Sequence, residues 1–110
     1  MTVVPIDARR ITDWDGFHDV FAKAFGFPAF YGRNMNAWID CMSCVDAPEL
    51  GMTTVHVQDG EVCVIRLTNA AGFPSRCPEV YAALTECTVV VNWRNLEAGD
   101  ETMLALAFHD

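Results

Sequence analysis

Two periodicities run through the apolar positions of the chain, one near 3.6 and one of 2, and they divide it into elements. "TVVPI" (2–6) is short, apolar and β-branched, which predicts a first strand. In "TDWDGFHDVFAKAFGF" (12–27), Trp14, Phe17, Val20, Phe21, Ala24 and Phe25 recur three and four apart. That spacing predicts a helix with one broad apolar face. Thr12 followed by Asp15 resembles a capping box, and Gly26 with Pro28 supplies the stop. A second helix is predicted from about Asn34, a suitable N-cap, to Cys44. Asn36, Asp40 and Ser43 are its only internal polar residues, and positions three and four apart share a face. They therefore form one narrow strip on a helix that is otherwise apolar nearly all round, with Arg33 at its edge. Asp40 is the only acid of that strip, and Trp38 reads as core.

Farther along, "TTVHVQDGEVCVIRL" (53–67) sets Asp59-Gly60 between two β-rich runs, the composition of a two-residue hairpin turn. That register would pair Val57 with Val62 and Val55 with Val64, and would set His56 opposite Cys63. "SRCPEVYAALTEC" (75–87) predicts a third helix, with Pro78 tolerated in its first turn. "TVVVNW" (88–93) reads as a strand buried on both faces, and "TMLALAF" (102–108) as the last strand. The order β-α-α-β-β-α-β-β predicts one α/β domain over 1–110, with parallel pairing inside and antiparallel strands added at an edge.

Composition narrows the function. Fifteen acids against seven bases give a formal charge of −8, which argues against direct nucleic-acid binding, since neutralising phosphates needs a basic face. A basic protein partner fits the charge, although acidity also serves simply to keep a small apolar protein in solution. No apolar run approaches the roughly 20 residues that span a bilayer, and the arginines of "MTVVPIDARR" follow the apolar run, the reverse of a secretory signal. A cytoplasmic location is the default expectation. Five cysteines, an odd number, point to reduced thiols rather than a disulfide framework.

Catalysis finds little support. Cys41-Met-Ser-Cys44 closes a helix, where the helix dipole has the wrong sign to stabilise a thiolate, and no second ligand pair accompanies it for zinc. A His56–Cys63 pair across the predicted hairpin would be a nucleophile and base without an oxyanion hole or orienting group. No phosphate-cradling glycine loop is present. The expectation is no enzyme, no cofactor and no metal.

The stretch Pro28-Ala29-Phe30-Tyr31-Gly32-Arg33-Asn34-Met35-Asn36-Ala37-Trp38-Ile39-Asp40-Cys41 resembles the signature of the barstar family, small acidic intracellular inhibitors of ribonucleases. Tyr31, Gly32, Asn34, Ala37, Asp40 and Cys41 fit the family pattern at matching spacing. The resemblance is specific over about 11–45, general over 75–91 and absent elsewhere. It implies a three-stranded parallel core sheet packed by helices, acting as a monomer. It also implies a protein partner, a basic ribonuclease or related nuclease toxin, for which the chain serves as immunity protein. In that reading Asp40 stands in for an RNA phosphate, Phe30 and Tyr31 are aromatic contacts, Gly32 and Asn34 are loop-shaping or hydrogen-bonding residues, and Asn36 is a polar contact. Arg33 departs by placing a cation in the loop, and Asn36 stands where the family's inhibitor presents a second acid. Tyr81 and Thr85 stand where it shows acids, leaving Glu79 and Glu86 as partial substitutes. Arg33 and Asn36 favour an alternative: an interaction module on the same fold whose partner is not a nuclease.

Overall fold

The computed structural model describes residues 2–110. Three strands, β1 (Thr2–Asp7), β2 (Cys63–Thr68) and β3 (Leu104–Phe108), form one parallel sheet in the order β1-β2-β3. The register sets Val4 beside Ile65 and Leu106, and Ile6 beside Leu67 and Phe108. Four helices complete the fold: α1 (Trp14–Phe25), α2 (Met35–Met42), α3 (Phe73–Arg76) and α4 (Pro78–Glu97). The α/β class and the parallel core sheet are as expected from the sequence. Each parallel step needs a long crossover, and the helix pairs α1–α2 and α3–α4 supply the two.

Alternation decides which face of the sheet carries the core. Val4, Ile6, Cys63, Ile65 and Leu67 point inward and are buried, while Val3, Pro5 and Arg66 are exposed on the other face. Against the inner face α1 lays Phe17, Phe21 and Phe25, all fully buried. Its N-cap is Asp13, not Thr12: the Asp13 carboxylate accepts from the Gly16 N–H at 2.7 Å. Asp is the stronger cap, and Asp15 lacks the reach of the Glu or Gln that a capping box prefers. Gly26 closes α1 at φ +65°, and a Cβ there would collide with Thr54.

Two expected elements are absent, each for a physical reason. Residues 53–58 do not form a hairpin with β2. Their backbone donors go elsewhere, Thr54 N–H to the Phe25 carbonyl at 2.8 Å and Val57 N–H to the Val45 carbonyl at 2.9 Å. Both edges of β2 are already taken by β1 and β3. The turn itself survives, with Gly60 at φ +80° and Glu61 N–H donating to the Gln58 carbonyl. No antiparallel strand is added to the sheet among the described residues, and His56 is not set across a ladder from Cys63.

Residues 88–93 continue α4 instead of forming the expected strand. Local β-propensity is overridden by helical burial at spacing seven: Leu84 and Val91 are fully buried while Val89 and Trp93 stand exposed. The Thr88 hydroxyl donates back to the Leu84 carbonyl at 2.7 Å, satisfying it within the helix. Asn92 then ties α4 to β3. Its Oδ1 accepts from the Met103 and Leu104 N–H groups, and its Nδ2 donates to the Leu104 carbonyl at 2.9 Å. Val89→Lys is a direct check. On this helix it should change unfolding free energy by no more than about 0.5 kcal/mol in urea melts. A strand buried on both faces would lose several times that.

Candidate protein-binding site

The loop from Phe27 to Asn34 and the helix α2 it launches carry the candidate residues. Asn34 caps α2, its Oδ1 accepting from the Ala37 N–H at 2.8 Å while its Nδ2 donates to the Gly32 carbonyl at 3.3 Å. A Cβ on Gly32 would come within 3.2 Å of that Nδ2, so glycine keeps room for the cap. Both residues shape the loop.

The aromatic pair divides its labour. Phe30 is 75% exposed. Tyr31 turns inward, its ring 4.7 Å from that of Phe27 and its hydroxyl sharing a 2.6 Å hydrogen bond with His18 Nδ1. Burial lifts the Tyr31 phenol well above its ordinary value, so it stays protonated. Tyr31 therefore anchors the loop to α1, and Phe30 is the ring left facing outward.

His18 is buried, stacked on Trp14, and its pKa is lowered first by burial and then by the nearby Arg33 charge. A lowered histidine pKa means that the unfolded chain binds the proton more readily. Its contribution is then complete above the unfolded value of about 6.5 and declines as pH falls from there toward the folded pKa. Stability should drop over that acid window, and His18→Gln should flatten the drop in thermal melts taken across pH. An unchanged pH profile would mean that His18 does not carry the acid sensitivity.

Arg33 is held within the chain. It sits at φ +54° and folds back on α1, donating to Asp19 at 2.9 Å and to the Asp15 carboxylate and carbonyl at 3.4 and 3.2 Å. Two acids of α1 thus hold its charge.

On α2 the inward side is fully buried at Trp38 and Met42, whereas Asn36 and Asp40, four residues apart, lie exposed on the outer strip. The Asp40 side chain keeps 64% of its surface in solvent and meets Arg94 of α4, Nη1 to Oδ1 3.3 Å. Asp40 is thus a carboxylate carried outward on a helix whose back is locked into the core. The family model described as Barstar (barnase inhibitor) matches residues 1–106.

The chain belongs to the barstar family. Its relatives by family description are ribonuclease inhibitors rather than enzymes. No curated protein matches the chain. Burial pushes the Cys41 and Cys63 thiols of this barstar-family chain up to about 11, which leaves those two unsuited to nucleophilic work. Among the described residues no group of His, Cys, Asp or Glu is arranged to hold a metal. No helix among them is long and apolar enough to cross a membrane.

Asp40, Asn34 and the loop stand out in the sequence as candidates, whereas the contacts that His18, Asp15, Asp19 and Arg94 make with this region do not. Asp15 and Asp19 stand 18 and 14 residues from the arginine they hold, a separation no local pattern reveals. Arg94 was hidden because the segment before it reads as a strand. The acid surplus also has a place: a concavity of about 300 Å³ is lined by Asp46, Asp59, Glu61, Asp100 and Glu101. It follows the C-terminal end of α2 and includes Asn95, next to Arg94.

Proposed function

We propose that this barstar-family chain blocks the active site of a basic ribonuclease or related nuclease toxin, with the Asp40 carboxylate occupying the place of an RNA phosphate. The observation that carries the reading is the exposed Asp40 side chain on a helix buried at Trp38 and Met42. An acid so fixed loses little conformational freedom on docking. Charge-assisted hydrogen bonds from a cationic pocket reward it more than neutral contacts would. Phe30 adds an exposed aromatic ring, the type of side chain that dominates interfaces when buried by a partner. Gly32 and Asn34 hold the loop, Asn36 offers a polar contact beside Asp40, and Tyr31 braces the loop from behind. The acidic concavity steers a basic partner toward this end of the molecule, raising the association rate.

Mimicry of a phosphate requires competition. Guanosine 3′-phosphate should displace the chain from a guanyl-preferring ribonuclease, raising its apparent Kd in proportion to nucleotide concentration. Binding indifferent to saturating nucleotide would place the contact outside the active site. Phe30→Ala should weaken the same complex by about 1–2 kcal/mol, measured by calorimetry. Asn36 and the neutralisation of Asp40 by Arg94 favour the second reading, a partner that is not a nuclease. That reading gains if basic ribonucleases do not bind.

A further inference from the structure

Arg94 works against a basic partner at this site. It sits on α4, reaches across to α2, and makes a single contact with Asp40 at 3.3 Å. Both groups are more than half exposed. Arg33, the other cation of the region, is held by two carboxylates and a carbonyl. Arg94 has Asp40 as its only ion-pair partner among the described residues. A cationic pocket closing over Asp40 therefore competes with Arg94 for Oδ1 and brings its own charge against a like one. An exposed pair with one contact is weak, so a pocket that offers several donors to the carboxylate can displace it.

Resting on the function proposed above, we infer that Arg94 is an internal competitor for Asp40: it occupies the acid in the free protein and sets how strongly basic a pocket must be to bind. In the free chain it screens Asp40 from solitary cations. At a partner's surface it swings away or repels, so the pair acts as a threshold for partner choice. Arg94 is a specificity-determining residue whose removal strengthens binding.

The test is a cycle of wild type, Arg94→Ala, Asp40→Ala and the double variant, titrated against a basic guanyl-specific microbial ribonuclease at low salt. Arg66→Ala serves as control, because Arg66 is exposed on the open face of the sheet and its loss changes net charge equally. Arg94→Ala should bind roughly tenfold more tightly than wild type, and Arg66→Ala no more than about twofold. The gain should vanish when Asp40 is already alanine. Equal or weaker binding by Arg94→Ala overturns the inference, as does a gain that persists without Asp40 or is matched by Arg66→Ala. If neither wild type nor Arg94→Ala binds, the nuclease reading fails for that enzyme, and the pair is judged in the free protein by NMR. There the Arg94 Nε–Hε resonance should move on Asp40→Asn; a resonance that stays in place overturns the inference as well.

Discussion

Asp40→Ala should leave the folded chain about as stable as before and weaken its hold on a basic ribonuclease by about 3 kcal/mol, a loss of roughly a hundredfold. That is the general scale for truncating one member of a desolvated charge pair, and complexes of this family contribute to it. The two halves of the prediction have separate causes. In the free protein the side chain is mostly in solvent and its ion-pair partner, Arg94, is also exposed, so its removal deletes a surface pair worth about 0–1 kcal/mol. Stability in urea should barely move. In the complex the same carboxylate is taken from water and surrounded by donors, and its loss leaves the partner's buried cations without a counter-charge. Calorimetry and urea melts on the same variant separate the two. Binding that survives while stability falls would assign Asp40 a structural role and remove it from the interface.

Trp38→Ala should do the reverse. Trp38 is fully buried two residues before Asp40, its ring 6.3 Å from Phe17 and 5.7 Å from Phe21. Truncation opens a large cavity where α1 and α2 meet, at a cost of about 3–5 kcal/mol, a sizeable share of the stability of a domain this small. Its Nε1 has no hydrogen-bond partner among the described residues. Trp38→Phe, which removes that unsatisfied donor and keeps a ring, should therefore cost less than half as much. Urea melts of the two variants give the comparison. A Trp38→Ala protein within about 1 kcal/mol of wild type would mean that α2 is not locked to the core, and that Asp40 is not held rigid.

Much of this arrangement was legible because it is local. Phe17, Phe21 and Phe25 recur at helical spacing and all proved buried, and Asn34 caps α2 through the contact its residue type favours. Asp40 stands out as the lone acid on an apolar helix, and the structure puts its side chain in solvent. What failed was non-local. Val89-Val90-Val91 has strand propensity, yet the burial of Leu84 and Val91 decides for helix. The Asp59-Gly60 turn forms, but a turn does not make a hairpin when one flank bonds to Phe25 and Val45 and the other is enclosed by β1 and β3. The charge departures likewise depended on folding. Arg33 is neutralised within the chain by α1, and the cation that faces Asp40 comes from α4, 54 residues away.

We propose that this barstar-family chain closes a basic ribonuclease by placing Asp40 in its active site. Titration calorimetry of the wild-type chain against a basic guanyl-specific ribonuclease, at low and moderate salt with catalytic activity followed in parallel, tests it most directly. The expected result is a tight one-to-one complex that weakens as salt rises and abolishes RNA cleavage at equivalence. No heat of binding, with cleavage undiminished by excess of the chain, would contradict it.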